Sequence, residues 1–244
     1  MTNYQLTYKR FSEASILVQW PQKIAPEILA DMLAFKNNLL NSEHSSILQI
    51  TNAYSSILIT YRDYISNFES EITFLKTKYA SRQNLEKQDS KLWKIPACYD
   101  CHFALDLEEI SNEKQLSPSE IIKLHVDAVY NVYFIGFLPG FLYLGGLNER
   151  LFMPRIKSPR QHVEKGAVAI GGEQTGVYPN ASPGGWNIIG NSPLNFFNSD
   201  LETPCFANAG DRIQFMAVDF KTHQEILVEV QNGTYNIESE VNDG

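Results

Sequence analysis

Residues 167–190 read AVAIGGEQTGVYPNASPGGWNIIG, in which two short apolar runs flank a loop rich in Gly and Pro. The runs at 167–171 and 186–190 have the length and the apolar content of buried strands. Similar short runs occur at 129–136 and 212–218, and Gly and Pro again interrupt the sequence between them. Many short strands with such loops indicate a closed or nearly closed β-barrel.

The first part of the chain has a different pattern. Its apolar and β-branched residues predict strands at 4–9, 15–20, 47–53 and 55–61, and helices at 26–40 and 67–79. The order ββαββα indicates a small α+β layer, and the polar residues 80–91 have the composition of a linker. We therefore predict an N-terminal α+β domain over residues 1–85 and a β-barrel domain over residues 92–244.

The barrel domain also contains helical patterns. Helices are predicted around 104–113 and from Ser117, where Pro118 and Glu120 complete a capping box with proline at the first helical position. The end of the chain allows two interpretations. Residues 226–230 alternate like a strand before a turn at 232–233, and a short helix over 222–230 is the alternative, so the fold of 220–244 is left open.

Composition and charge exclude several classes of protein. The 244 residues are 43% hydrophobic and 20% charged, with a formal net charge of −8, which opposes binding to nucleic-acid phosphates. The uncharged run 129–147 contains Pro139 and several Gly, so it fits a strand and a loop better than a membrane-spanning helix. Three Cys and an N-terminus without a secretory signal predict a cytoplasmic protein with free thiols.

Three motifs are set aside because their context does not support them. Cys98 to His102 matches the C-x-x-C-H pattern of haem attachment, but the sequence lacks an export signal and further ligands at useful spacing, so neither haem nor zinc is expected. The helices at 104–113 and 117–127 resemble a helix-turn-helix, yet Lys123 is the only cation on the second. No phosphate-binding P-loop motif occurs.

Two Pro-Arg steps are candidates for anion binding. Pro154–Arg155 and Pro159–Arg160 flank Lys157 in an otherwise acidic protein, and each proline stiffens the backbone that carries the arginine. A guanidinium group grips a carboxylate or a phosphate through two parallel hydrogen bonds. The alternative is that both arginines form surface salt bridges.

Other candidates lie in the apolar loops and beside them. Phe137, Phe141 and Tyr143 lie in a Gly/Pro loop, where aromatic residues either fill the core or line a pocket. Gln174 follows a Gly pair at the end of a strand, a usual position for a polar side chain that faces a cleft. His125 is either a hydrogen-bonded structural residue or a group that transfers protons or binds a ligand.

The loop at 176–190 has the features of a cleft wall. Pro179 and Pro183 stiffen it, and Gly184–Gly185 lets the backbone approach a guest closely. Tyr178 and Trp186 offer apolar faces. The alternative interpretation is that these residues form an ordinary turn with Trp186 packed behind it.

These segments occur together in a known order: YNVYFIGFLPGFLYLGGL at 130–147, the two Pro-Arg steps, residues 166–197 and AGDRIQF at 209–215. In this order they resemble the bacterial family that contains the B subunit of 5-oxoprolinase (PxpB), the sporulation kinase inhibitor KipI and allophanate hydrolase subunit 1. The likeness runs from Tyr4 to about Asp219. It implies an α+β fold with a small ferredoxin-like N-terminal domain followed by a cyclophilin-like β-barrel.

The resemblance also implies a function. Members of the PxpB type work with the A and C subunits of 5-oxoprolinase in the ATP-dependent opening of 5-oxo-L-proline to L-glutamate, with ATP, as Mg-ATP, used at the level of the complex. The alternative is a regulatory protein that inhibits a sensor histidine kinase, as KipI does. A proline isomerase rests on fold analogy alone.

The family motifs assign substrate binding to twelve positions of this chain, and catalytic residues are left unknown. The positions are His125, Phe137, Pro139, Tyr143, Arg155, Arg160, Gln174, Tyr178, Pro183, Gly184, Gly185 and Trp186. The chain departs from the family pattern in two places. Leu142 replaces a proline beside Tyr143, and residues 103–107 read FALDL where the family usually has FGPDL.

Overall fold

The computed structural model describes most of the chain, namely residues 3–42, 44–83 and 90–241. The chain divides into two compact units, Met1–Gln88 and Asp89–Gly244, and each has its own buried apolar core. Half of the linker predicted at 80–91, residues 84–89, lies outside the described residues.

The first unit is a four-stranded antiparallel sheet with two helices. Its elements are β1 (Thr7–Ser12), β2 (Ser15–Gln19), α1 (Pro26–Leu40), β3 (Ile47–Asn52), β4 (Ser56–Tyr61) and α2 (Phe68–Ala80). The strands lie in the order β1-β2-β4-β3. The predicted element order ββαββα is confirmed, and the ferredoxin-like description of this unit stays a prediction.

The core of the first unit combines one alternating sheet face with a buried ion pair. Alternate residues of β2 and β4, including Ile16 and Ile57, are fully buried against the helices. The Asp31 carboxylate of α1 accepts hydrogen bonds from Arg82 Nε at 2.7 Å and from the Tyr79 hydroxyl at 2.8 Å. Because both partners lie at the end of α2, the buried carboxylate joins the two helices.

The second unit is built from short strands, three helices and a single 3-10 turn at Glu149–Leu151 among its described residues. The strands are β5 (Lys91–Cys98), β6 (Val129–Ile135), β7 (Leu142–Gly145), β8 (Arg160–Val163), β9 (Ala167–Gly171), β10 (Gln174–Val177), β11 (Ser182–Gly184), β12 (Asn187–Asn191), β13 (Arg212–Val218) and β14 (Ser239–Val241). The helices are α3 (Leu107–Lys114), α4 (Pro118–Val126) and α5 (Phe220–Gln231).

Seven of these strands close into a barrel, as the sequence predicts. They follow the order β12-β9-β10-β7-β6-β13-β5, and a pairing between Asn191 of β12 and Cys98 of β5 closes the ring. β5 and β13 run parallel, whereas the other neighbouring strands are antiparallel. β14 pairs with the first part of β5, and β8 pairs with β11 as a separate two-stranded sheet.

On one side of the ring, the barrel strands carry apolar side chains on both the inner and the outer face. Every barrel strand contributes to one interior cluster, to which β9 adds Val168 and Ile170. Ala167 and Ala169, which alternate with them, belong to a second cluster on the outer face of β7, β10, β9 and β12. The barrel interior is thus filled by side chains, and the outer face carries a separate apolar surface.

The helices of the second unit confirm one prediction and settle an open question. The Ser117 side chain accepts a hydrogen bond from the Glu120 backbone and the Glu120 carboxylate accepts one from the Ser117 backbone, so α4 has the predicted capping box. The end of the chain forms helix α5, capped by Asp219, and the strand interpretation of 226–230 is wrong.

The long apolar run at 129–147 forms strands β6 and β7 and the loop between them. Leu142, which replaces the family's proline, is fully buried at the start of β7 and pairs with Ile135. Across the described ranges, no helix combines the length and the apolar content that a membrane crossing requires.

Candidate functional site

Four aromatic rings pack into one cluster on the outer face of the barrel, here called the aromatic surface: Phe141, Tyr143, Tyr178 and Trp186. Tyr143 is half-buried, and the other three are buried, with 2–4% of their surface exposed. The Phe141 ring lies at the centre, with its centroid 4.9 Å from that of Tyr143, 5.4 Å from Tyr178 and 5.5 Å from Trp186. Most of these contacts are edge-to-face, the geometry that aromatic pairs prefer. The rings therefore form one rigid wall made from β7, from the end of β10 and from the start of β12.

Glycines permit this close assembly. A side chain on Gly171 would place its Cβ 2.6 Å from the Trp186 ring, and one on Gly184 would lie 2.4 Å from the Tyr178 hydroxyl. Only glycine fits where a backbone lies this close to an aromatic ring. Gly184 thus lies close to Tyr178 in this structure, and its predicted role in the approach of the backbone to a guest stays a prediction.

Arg155 lies beside the aromatic surface and its backbone is fixed on both sides. The preceding carbonyl, of Pro154, accepts a hydrogen bond from Asn187 Nδ2 at 2.9 Å, and the following N–H, of Ile156, donates to the Gly185 carbonyl at 2.9 Å. The guanidinium carbon lies 5.9 Å from the centre of the Trp186 ring, within the range of a cation–π contact. The residue is exposed, so its charge faces solvent at the edge of the aromatic wall.

The two tyrosines of the surface are affected by this charge. Burial raises the pKa of Tyr143, and the positive charge of Arg155 opposes that rise. Burial likewise raises the pKa of Tyr178, while the Trp186 backbone, Arg155 and Arg160 oppose it. Both hydroxyls therefore stay protonated at neutral pH and are able to donate hydrogen bonds to an anion or to a carbonyl oxygen.

Arg160 has a carboxylate partner and lies at the edge of the aromatic surface. Its Nη2 donates to Asp106 Oδ1 at 2.6 Å, and the second oxygen of Asp106 accepts from the Ile188 backbone N–H at 2.6 Å. Asp106 is buried, so this pair fixes the loop before α3 to β12 and to β8. Of the two interpretations of Arg160, the structure supports a salt bridge, with one guanidinium nitrogen left for other contacts.

The remaining predicted residues of the loops lie around the same surface. Phe137 is exposed with a positive φ of 67° and packs edge-to-face on Phe141, while Pro139 is exposed in the same loop. Pro183 is exposed on β11, and Gly185 accepts the hydrogen bond that fixes the Arg155 segment. A left-handed backbone is uncommon for a phenylalanine and marks this loop as strained.

Gln174 is half-buried at the first position of β10, directly after the tight turn of the β9–β10 hairpin. Backbone hydrogen bonds join Met153 to Gly172 in that turn, so the segment leading to Arg155 runs along the tip of the hairpin. Gln174 and Arg155 are thereby held at the same end of the barrel.

The structure does not bring His125 to the aromatic surface. Its ring is fully buried in the barrel interior, between the Tyr99 hydroxyl, 2.8 Å from Nδ1, and Thr175 Oγ1, 2.9 Å from Nε2. Burial lowers its pKa to about 3, so the ring is neutral at physiological pH. These contacts are those of a hydrogen-bonded structural residue.

Several residues that sequence reasoning did not assign to the site now belong to it. Phe141, which the sequence marked as core or pocket lining but not as a substrate-binding position, is its central ring. Phe134 stacks on Tyr143 with centroids 4.1 Å apart. Asp106 and Asn187 fix the two arginine segments through contacts between residues far apart in the chain. The aromatic residues along β6 and β7 could have been predicted to form a ring cluster from their alternation in the sequence. The sequence contains no pattern that predicts the contacts of Asp106 and Asn187.

The C-x-x-C-H motif is split by the fold, since Cys98 is buried in β5 while Cys101 and His102 are exposed. No cluster of three or more His, Cys, Asp or Glu side chains suited to a metal ion occurs among the described residues.

Comparison with known proteins agrees with this architecture. The family model for the carboxyltransferase domain, subdomains C and D, matches residues 6–207. The chain is 31% identical over 230 residues to the B subunit of 5-oxoprolinase from Bacillus subtilis, a match that spans 90% of this chain and 95% of the relative. It is 32% identical to the B subunit of 5-oxoprolinase from Haemophilus influenzae, over 84% of this chain and 94% of that protein. The chain belongs to the family of 5-oxoprolinase B subunits.

Solved structures extend the comparison to the fold. The crystal structure of TTHA0988 matches the family member described here with a TM-score of 0.72 and 30% identity, over 84% of this chain and 40% of that one. The urea amidolyase of Kluyveromyces lactis matches with a TM-score of 0.81 over 97% of this chain but 16% of its own length. At 19% identity this second likeness shows the fold alone, and the closed barrel fits the cyclophilin-like fold.

Proposed function

We propose that this member of the 5-oxoprolinase B-subunit family is a component of an ATP-dependent 5-oxoprolinase. Together with the partner A and C subunits, it takes part in opening 5-oxo-L-proline to L-glutamate. The observation that carries the proposal is the exposed cation of Arg155, on a backbone segment held by hydrogen bonds, at the edge of the aromatic surface. Relatives named as B subunits of 5-oxoprolinase, at 31% and 32% identity, support it.

The chemistry of the substrate fits this arrangement. 5-Oxo-L-proline is a small, flat five-membered lactam with one carboxylate. Arg155 would hold the carboxylate through parallel hydrogen bonds, and the lactam ring would lie at the edge of the aromatic surface, where Tyr143 is the half-buried ring. The protonated hydroxyls of Tyr143 and Tyr178 lie in the same wall and are suited to the lactam carbonyl oxygen.

Ring opening of an unstrained lactam is slow because the amide carbon is a weak electrophile. Transfer of the terminal phosphoryl group of ATP to the lactam oxygen releases ADP and makes the ring carbon more electrophilic. Water then attacks that carbon, the ring C–N bond breaks as the nitrogen takes up a proton, and a second water hydrolyses the resulting acyl phosphate to glutamate and phosphate. We assign binding and orientation of the lactam to this chain and place ATP, as Mg-ATP, at the level of the complex. Hydrogen bonds from the tyrosines would stabilise negative charge that develops on the oxygen.

Reconstitution tests the proposal. The chain is mixed with the A and C subunits encoded by neighbouring genes, and ATP hydrolysis that depends on 5-oxoproline is measured together with the glutamate formed. Activity is expected only when all the subunits are present. An inactive mixture, combined with tight binding of this chain to the dimerisation domain of a histidine kinase, would instead favour the KipI-like regulator.

A further inference from the structure

A second pocket lies next to the aromatic surface. It encloses about 860 Å³ between α5 and the outer face of β9 and β12. Ala167, Ile188 and Val163 contribute both to its wall and to the apolar cluster beneath the aromatic surface. None of the four rings of that surface lines it, so it is a separate cavity on the same face of the barrel.

The wall of this pocket is mainly apolar. Phe103, Leu105, Leu227 and Val230 line it from the loop before α3 and from α5. Helix α5 is the only element that sequence analysis left undecided between helix and strand, and its helical form supplies this wall. A cavity of this size and lining has the character of a site for a small organic molecule.

Two polar groups at the wall lack hydrogen-bond partners among the described residues. Ser192 is 2% exposed, and its Oγ makes no hydrogen bond. Arg160 gives its Nη2 to Asp106, while its Nη1 is buried and also makes no hydrogen bond. A buried polar group without a partner is destabilising, and both of these groups belong to residues that line the same cavity.

The charges around the pocket limit what it can hold. Arg160 is already balanced by Asp106. At the rim, Lys165 donates to the uncharged Asn195, and its positive charge is offset by the neighbouring Glu164, whose carboxylate lies 3.2 Å from His162 Nε2. His223, buried at the wall, donates to Asn191 and has a pKa lowered by burial, so it adds no positive charge at neutral pH. With no net positive charge left, the wall opposes a dianion such as a phosphate monoester, and a single carboxylate would have to be held by hydrogen-bond donors.

We infer that the pocket between α5 and the barrel binds a monocarboxylate with an apolar body, whose carboxylate takes the N–H of Arg160 Nη1 and the hydroxyl of Ser192. Neither atom is accessible in this structure, so both side chains would have to rotate to reach the carboxylate. The apolar part of the ligand contacts Phe103 and Leu227. The site differs from the one proposed for 5-oxoproline and does not depend on that function.

The test is a titration of the ¹⁵N-labelled full chain with 4-phenylbutyrate, followed by amide chemical shifts. Saturable shifts of residues 191–195 and of α5 are expected. The neutral 4-phenylbutyramide should bind about tenfold more weakly, because it loses the charge-assisted hydrogen bonds. 3-Phenylpropyl phosphate should also bind more weakly. Equal or tighter binding of the amide or of the phosphate overturns the assignment of a monocarboxylate, and absence of saturable shifts overturns the site.

Variants locate the binding. Ser192→Ala removes a hydroxyl that makes no hydrogen bond, so the protein should fold normally while its affinity for 4-phenylbutyrate falls about tenfold. Leu227→Trp fills the cavity from α5 and should abolish the titration. Arg155→Ala, outside the pocket, serves as the control: it should leave the titration unchanged even where it abolishes 5-oxoproline-dependent activity. Normal binding by Leu227→Trp would show that the probe binds elsewhere.

Discussion

The Thr175 hydroxyl lies 2.9 Å from His125 Nε2 and 3.0 Å from the Ala169 carbonyl oxygen. Because the hydroxyl has a single proton and the carbonyl can only accept, Thr175 donates to Ala169 and accepts from His125 Nε2–H. Nδ1 is then the acceptor for the Tyr99 hydroxyl, 2.8 Å away. One neutral tautomer of His125 therefore satisfies every partner of the ring, and protonation of Nδ1 would take away the acceptor of the Tyr99 O–H.

The first prediction concerns acid stability. His125 has a pKa of about 3 in the folded protein and an ordinary value near 6.5 when unfolded, so the unfolded state takes up the proton first. Its contribution to stability is complete above about pH 6.5 and is lost as the pH falls, by about 1.4 kcal/mol per unit. Urea unfolding between pH 7 and pH 5 measures the slope. His125→Gln should be less stable at pH 7 with a shallower slope, and an unchanged slope would contradict this account.

The second prediction concerns Arg155. Replacement by Ala or Lys removes the planar pair of donors and should lower kcat/KM of the reconstituted 5-oxoprolinase at least about a hundredfold, equivalent to about 2.7 kcal/mol. The side chain is exposed, so the unfolding midpoint should not change. Lys157→Ala, a neighbouring exposed cation, is the matched control. Equal losses from the two substitutions would mean that only the local charge matters.

The third prediction concerns the glycine under the tryptophan. Gly171→Ala would place a Cβ 2.6 Å from the Trp186 ring and should reduce the free energy of unfolding by about 1–3 kcal/mol while shifting tryptophan fluorescence. Gly136→Ala is the control, because the nearest atom to its Cβ is 3.6 Å away in the Phe134 ring. If Gly171→Ala is as stable as Gly136→Ala, the packing of Trp186 is looser than described.

The fourth prediction concerns Asp106. Asp106→Ala leaves the Ile188 N–H and Arg160 without their shared partner and should cost about 3 kcal/mol in unfolding free energy. Asp106→Asn retains one acceptor oxygen and should lose less. Asp127→Ala removes only an exposed ion pair with Lys123 and should change stability by less than about 0.5 kcal/mol. Urea denaturation of the three variants gives the ranking, which equal values for Asp106→Ala and Asp127→Ala would refute.

Local patterns account for the parts of the fold that were predictable. The capping box at Ser117 and the apolar runs of β9 and β12 involve residues within a few positions of one another, so the sequence carries the whole signal. Arg155, Tyr143 and Trp186 were similarly marked by proline, glycine and aromatic content, and they lie on one surface.

Contacts between distant residues account for what was not predictable. Asp106 becomes the partner of Arg160 only after the barrel brings β8 next to the loop before α3. His125 was a candidate by residue type, yet the packing of α4 against the interior gives it three buried neighbours and no route to the aromatic surface. The alternation of apolar and polar residues in the sequence of α5 was ambiguous. A half-buried helix and an edge strand both place polar, exposed side chains at short intervals along the chain.

The parallel ladder between β5 and β13 has a consequence for synthesis on the ribosome. Leu92 pairs with Arg212, so the first strand of the barrel forms its longest ladder with a strand that comes about 120 residues later in the sequence. Pairings between residues so far apart form slowly, since the intervening chain must be ordered first. The first unit needs no later residues for its own sheet and is free to fold as it emerges, whereas β5 must wait, with its edge unprotected, until β13 has been translated.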